Sequence, residues 1–550
     1  MQNKTDRRDF IQFMGRVSAS SAILPLAGSL LPLASTLSCA SRRSSLDSTL
    51  RSTSPLPFPV LKPSSKDDVT LVEGLSAKIF IKYNDAISER DSFGTHNDFL
   101  ALTLFPGKTD EGVLLVNHEY MHPVLIHGRK IEDGKRTRAE VVKEQLSMGC
   151  SLLHIKKTEN GWSWIPSSKY NRRITARTPI PFQKGYKIFG SDVAIGTLMN
   201  CAGGQTPWGT VLTCEENYDN VYGDATFENK NRQFVPVDKY RWFDHFPLPP
   251  EHYGWVVEIE PFTGKAVKRV ALGRFEHECA TVKISKNKKP VVYMGEDRRS
   301  GFLFKFIGNK PDSLESGTLY VADTVKGRWL PLDLKQNPLL KPHFDSQTDV
   351  LTYTRLAATL AGGTPQDRPE DIEIDPLTGD VFVALTNNYD RKNFYGAILK
   401  ISEKDNDCES MEFTASTWMS GGPESGIACP DNMVFDKNGN LWVTSDISDE
   451  DNNKGPYKGY GNNSLFYVPL RGEFAGKAYR VANAPVDAEF TGPMFADDYK
   501  TLFLCVQHPG AMTTDPQKPT STWPDRQGLP KSAVLTIEGP LLNRLIQQSK

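Results

Sequence analysis

The sequence predicts an all-β fold, a β-propeller, on three observations. From about residue 70 onward, apolar residues alternate with polar ones in short runs of strand length. Turn signals separate those runs, among them Pro-Leu-Thr-Gly at 376–379 and Lys-Asn-Gly-Asn at 437–440. A loose internal repeat also recurs, in which a polar cluster opens a strand, a turn follows, and a second strand ends in another polar cluster.

Six units carry this repeat. The first runs from Asn97-Asp98 to Asn117-His118-Glu119. The second is visible from Trp208-Gly209-Thr210 to Cys214-Glu215-Glu216-Asn217, without a clear opening strand. The third opens at His277-Glu278 and closes at Gly295-Glu296-Asp297. The fourth opens at Arg368-Pro369-Glu370 and closes at Thr386-Asn387-Asn388. The fifth opens at Pro430-Asp431-Asn432 and closes at Thr444-Ser445-Asp446. The sixth opens at Glu489-Phe490-Thr491-Gly492 and closes at Val506-Gln507-His508. An antiparallel hairpin brings the start of its first strand and the end of its second to the same end. If each hairpin is the inner half of a blade, all the polar clusters reach one mouth of a central channel. Any one cluster alone reads as residues capping a turn. Six in phase read as a site.

Composition narrows the function. With 65 basic and 66 acidic residues the formal net charge is -1, which gives no global field for nucleic acid or a membrane surface. The eight cysteines form no Cys-x-x-Cys pair, which excludes zinc-ribbon and thioredoxin-like arrangements. The Gly-x-Ser-x-Gly elbow and the phosphate-cradling P-loop are absent as well.

The N-terminal segment, residues 1–40, reads as an export leader. Arg7-Arg8-Asp9-Phe10-Ile11 precedes a weakly apolar stretch from Val17 to Leu37, a pattern resembling a twin-arginine signal. Pro25 and Pro32 break that stretch, against a membrane span. Leu37-Ser38-Cys39-Ala40 resembles a lipoprotein cleavage site before Cys39, although Thr36 departs from the usual pattern. Residues 41–69 read as a linker, and 70–550 as the propeller. The expected location is periplasmic or at the cell surface, with membrane contact only through a lipid anchor.

The chemistry of the mouth follows from residue type. Several carboxylates in one pocket cannot all ionise without cations, because their mutual repulsion raises their pKa values. Their oxygens are hard ligands, suited to calcium, magnesium, manganese or ferric iron. Cys214, between Thr213 and the pair Glu215-Glu216, is in an anionic setting that disfavours a thiolate unless a metal binds it. Cys201, Cys279, Cys429 and Cys505 read instead as small buried apolar residues.

Seven motifs, in this order, resemble the PhoX family of bacterial alkaline phosphatases. They are Val116-Asn117-His118-Glu119-Tyr120, Thr213-Cys214-Glu215-Glu216-Asn217, Phe275-Glu276-His277-Glu278, Arg368-Pro369-Glu370, Cys429-Pro430-Asp431-Asn432, Glu489-Phe490-Thr491-Gly492 and Gln507-His508-Pro509-Gly510. The resemblance covers residues 70–540 and the leader. It implies a six-bladed β-propeller with loop and short-helix insertions, two oxo-bridged ferric ions and associated Ca2+. It further implies hydrolysis of phosphate monoesters by an oxide or hydroxide held on the metals. Carried onto this chain, Cys214 is the thiolate ligand to iron, and Glu278, Glu370 and Glu489 are carboxylate ligands. Glu119, Glu215 and Asp431 are further metal ligands, and Arg368 is the phosphate clamp. Glu296 and Asp297 compete for one more ligand role, with Asp297 preferred. The expected partners are small phosphate esters and the twin-arginine export machinery. A calcium-dependent propeller lactonase or phosphotriesterase, a phosphodiesterase and a non-catalytic binding propeller are the alternatives.

Overall fold

Six antiparallel sheets stand around one axis in the computed structural model, which describes residues 59–132 and 135–547. The leader, Cys39 and most of the expected linker lie outside the described residues. The inner strands, in ring order, are Asn97–Leu104, Asn200–Gln205, Thr281–Ile284, Pro369–Ile374, Pro430–Phe435 and Phe490–Phe495. Each packs against the next, and Phe490–Phe495 returns to Asn97–Leu104, so the ring closes. From each inner strand the sheet runs outward by hairpins, as in the fourth blade, Pro369–Ile374, Val381–Leu385, Ala397–Glu403 and Phe413–Ser420.

The opening strand not evident in the second unit is Asn200–Gln205, which lies before Trp208. It is Asn-Cys-Ala-Gly-Gly-Gln, with no alternation of large apolar residues. Backbone crowding accounts for that composition. A Cβ on Gly203 would lie 2.2 Å from the Leu212 carbonyl oxygen, and one on Gly204 would lie 2.1 Å from that of Ala280. Only glycine lets the first three blades approach so closely.

Two N-terminal strands complete C-terminal blades. Thr70–Leu71 pairs with Tyr479–Asn483 at the edge of the fifth blade. Ser76–Lys82 pairs with Ala533–Glu538 as the outer strand of the sixth, which covers two exposed strand edges. The end of the expected linker is bonded to the barrel rather than free. The Asn462 N–H donates to the Ser64 carbonyl at 2.8 Å, and the Asp67 carboxylate accepts from Ser521 Oγ at 2.6 Å.

The core lies between blades. At the third–fourth junction Val291, Tyr293 and Leu303 pack on Ile372, Val383 and Leu399, each buried aliphatic contributing roughly 1.5–3 kcal/mol. Insertions rise over the mouth. The first blade carries helices Pro123–His127 and Arg138–Ser147, the latter started by a capping box between Thr137 and Glu140. The second carries the hairpin Asp224–Glu228 with Asn231–Val235. Among the described residues no helix is long and apolar enough to cross a membrane.

Candidate metal centre

One backbone hydrogen bond repeats at the mouth of all six inner hairpins and defines equivalent positions. An outbound residue donates its N–H to the carbonyl of an inbound residue: Glu119 to His96, Glu216 to Met199, Asp297 to Glu276, Thr386 to Arg368, Asp446 to Cys429 and Gln507 to Glu489. Their N···O distances run from 2.8 to 3.2 Å. Just inside this bond the strand register slips by one residue. Asn97 pairs with His118 but Leu100 with Val116, and Asn200 pairs with Glu215 but Gly203 with Thr213. The same slip separates Pro369 from Ile372 and Pro430 from Met433. In the third blade it falls between His277, bridged to Glu296, and Thr281. In the sixth it comes one residue later, between Thr491 and Met494. Such a bulge re-aims the extra residue. The residue two beyond the inbound position is therefore Asp98, Cys201, Glu278, Glu370, Asp431 and Thr491 in turn.

Seven of these residues, from five blades, form three candidate ligand groups. Asp98, Glu119 and Cys201 offer ligand atoms within 4.8 Å of one another, as do Cys201, Glu216 and Glu278, and Glu278, Glu370 and Asp431. The three groups are joined through Cys201 and Glu278. Cys201 Sγ lies 3.2 Å from both Glu278 oxygens and 4.0 Å from Asp98 Oδ2.

All these side chains are buried. Burial first, then neighbouring carboxylates, pushes Asp98, Glu216, Glu278, Glu370 and Asp431 well above the carboxylate range. Burial also raises Glu119, against the opposing effect of its hydrogen bonds. Glu119 and Glu216 meet as hydrogen-bonded carboxyls, and so do Glu278 and Glu370, a pairing that needs a shared proton or a cation. The Cys201 thiol is raised by burial and then by Asp98, Glu278, Glu119 and Glu216. Asp98 Oδ1 is buried without a hydrogen-bond partner. An orphaned oxygen, doubled carboxyls and a thiol among acids all fit bound cations.

The placement corrects two assignments. Cys214 lies on Val211–Glu215 in the apolar core, among Leu212, Trp255, Val256 and Phe275, one strand out from the channel. The thiol among the carboxylates is that of Cys201. Glu215 is one residue short of the outbound position and is bonded to the buried ammonium of Lys268 and to the Trp255 N–H, while Glu216 faces the channel. Asp98, Cys201 and Glu216 are thus the site residues that sequence reasoning did not assign.

Arg368 also differs from expectation in its backbone. A proline favours extended backbone in the residue before it, yet Arg368, before Pro369, has φ +53°. His96, Met199 and Cys429, at the equivalent inbound positions, have φ of +46°, +52° and +52°. The left-handed turn into the inner strand thus recurs in four of the six blades, at about 1–3 kcal/mol for each non-glycine residue. It directs the Arg368 guanidinium onto Asp297, with Nε–Oδ1 and Nη2–Oδ2 both 2.8 Å. Nη2 also reaches Glu370 at 2.7 Å, and Nη1 lies 3.4 Å from Asp446. Burial opposes the charge, but Asp297, Glu370 and Asp446 hold Arg368 well above its ordinary pKa. Asp297 accordingly belongs to the arginine and lies outside the three ligand groups. Glu489, pushed up to about 8 by burial and then Asp446, lies outside them too and pairs with His508 at 2.8 Å.

Gln507 closes the seam between the first and sixth blades, donating to Asp98 at 2.7 Å and Glu119 at 2.6 Å. Beside it opens a cleft of about 470 Å³, bounded by Glu119, Glu489 and His508 on the channel side and by Tyr120, Lys239 and Tyr240 on the other. That is room for a small organic ester above the carboxylates.

Comparisons with known proteins agree with this architecture. The solved structure of Pseudomonas fluorescens PhoX in complex with vanadate, a transition state analogue, superposes with a TM-score of 0.77. It is 29% identical and the match covers 88% of this chain and 98% of that one. A protein of unknown function from Dyadobacter fermentans aligns at 12% identity and a TM-score of 0.37, over 85% of this chain and 100% of that one. No curated protein sequence matches. Residues 56–510 match the family described as Alkaline phosphatase PhoX, so the chain belongs to that family and is a six-bladed propeller phosphatase that hydrolyses phosphate esters.

Proposed function

We propose that the protein is an exported phosphatase for phosphate monoesters. In this reading the channel mouth holds ferric iron at the Cys201 thiolate and calcium at the surrounding carboxylates. The observation that carries it is the linked set of ligand groups in which Cys201 and Glu278 are shared. A thiolate among acids suits iron, and a purely carboxylate group such as Glu278, Glu370 and Asp431 suits calcium. Bound cations would reverse the field of the acidic pocket, draw in the phosphoryl oxygens and lower the pKa of an attacking water.

The chain's own part is binding and orientation. Because Asp297 takes the Nε–Nη2 edge of Arg368, a phosphoryl group meets the guanidinium at its Nη1 end, beside Asp446. Asp297 fixes the plane of the fork, and the fork stabilises charge on the phosphoryl oxygens as it spreads. Gln507 holds Asp98 and Glu119 in register across the seam. The 470 Å³ cleft opens beside Gln507 and gives a small ester access to the carboxylate ring.

Removal of calcium with a chelator is expected to abolish turnover of phenyl phosphate, and added calcium to restore it, with elemental analysis finding iron and calcium. Recovery by zinc alone would reject this assignment of metals. The Arg7-Arg8-Asp9-Phe10-Ile11 leader supports passage by the twin-arginine route to the periplasm or cell surface. Cell fractionation with phosphatase activity confined to the cytoplasm would overturn that part.

A further inference from the structure

Arginines crowd the rim of the third and fourth blades, beside Arg368. Nearly all are committed to acids. Arg298 is held by Glu276 and, at 3.1 Å, by Asp219. Arg355 lies 2.7 Å from Glu296, and Arg391 lies 2.9 Å from Asp367. Arg368 itself is held by Asp297 and Glu370. Arg299 differs. It is exposed, and among the described residues no carboxylate forms an ion pair with it. Its guanidinium lies over the Tyr389 ring, 5.1 Å from the centroid. Tyr389 is fixed in turn, its hydroxyl 2.7 Å from Asp451 and 3.1 Å from the Tyr457 hydroxyl.

Position gives that cation a use. Arg299 opens the short strand Arg299–Gly301, antiparallel to Gln366–Asp367, with Arg299 directly opposite Asp367. It therefore stands across one strand pairing from the residue preceding Arg368, and two residues beyond Asp297, which orients Arg368. A guanidinium stacked on an aromatic face loses little freedom when it takes an anion, because its stem and plane are already placed. Arg298, Arg355 and Arg391 would each have to share their charge with a carboxylate already bound to do the same.

We propose that Arg299, on its Tyr389 platform, is a specificity-determining residue that binds a second anionic group on the leaving group of the ester. The class it selects is phosphate monoesters whose leaving group carries a carboxylate or another phosphate. This rests on the phosphatase assignment, with Arg368 at the scissile phosphoryl group and Arg299 one pairing further out.

The test compares esters that differ in one anionic group. 3-Phosphoglycerate against glycerol 3-phosphate tests a carboxylate, and fructose 1,6-bisphosphate against fructose 6-phosphate tests a phosphate. Arg299→Met keeps the apolar stem and loses the charge. It is expected to lower kcat/KM at least about tenfold for the esters with a second anionic group, on the scale of a charge-assisted hydrogen bond. The loss should appear in KM, with kcat unchanged. The esters with a single anionic group, phenyl phosphate among them, should stay within about twofold, on the scale of a surface substitution, and Arg299→Lys should restore part of the loss. An effect in only one pair would narrow the ligand to that group and still uphold the inference. Equal losses for all esters, or no loss for any, would overturn it while leaving the phosphatase assignment intact. No turnover of phenyl phosphate by the wild type would overturn both.

Discussion

Cys201→Ser is expected to bleach the visible thiolate-to-iron absorption, to release iron, and to lower turnover at least 10- to 100-fold, as losses around metal ligands do. Cys214→Ser is the matched control and should behave in the opposite way. Its hydroxyl would be buried among Leu212, Trp255 and Val256, at a cost of about 1–3 kcal/mol in stability. Colour and kcat should stay within about twofold of wild type, as for a substitution away from the site. Melting curves, iron analysis and a visible spectrum of the two variants separate a ligand from a core residue. Colour kept in Cys201→Ser and lost in Cys214→Ser would return the ligand role to Cys214.

Arg368→Lys tests the phosphate clamp. Lysine keeps one charge but lacks the planar fork, so it cannot hold Asp297 through two nitrogens and still present a third to the substrate. Turnover should fall about 100-fold, on the scale of a lost oxyanion donor. Inhibition by inorganic phosphate should weaken in parallel, and iron and calcium content should remain at wild-type levels because arginine is no ligand. Asp297→Asn keeps the shape and removes the carboxylate charge. If Asp297 serves the arginine, this variant retains its metals and loses turnover. Loss of metal in Asp297→Asn would instead make Asp297 a ligand, and full turnover in Arg368→Lys would remove the clamp.

Much of the site was legible because a hairpin sends both its ends to one mouth. Glu119, Glu278, Glu370 and Asp431 fall in the polar clusters at strand ends, the resemblance to the PhoX family gives them a ligand role, and the structure brings them into the linked groups. Cys201 was not legible by alternation, since its strand carries Gly203 and Gly204 where backbones touch. The signal that would have found it is phase: Asp98, Cys201, Glu278, Glu370 and Asp431 all lie two residues past an inbound position. Glu215 and Glu216 are adjacent acids, and only the strand register tells which faces the channel. The backbone of Arg368 followed from its neighbour Pro369 in a local argument, and the blade geometry shared with His96, Met199 and Cys429 overrode it.

The outer strand of the sixth blade also sets an order of events for a newly made chain. Ser76 and its partner Glu538 are 462 positions apart. At ordinary synthesis rates of about 5–20 residues per second, the first strand waits roughly 20–90 s for its mate to be made. Gln507 is made late as well, so its bonds to Asp98 and Glu119 wait for most of the chain. The seam that fixes Asp98 and Glu119 is therefore completed after the ligand groups of the second to fifth blades. If the chain is exported folded, as proposed above, the interval for loading metal lies between completion of this seam and export.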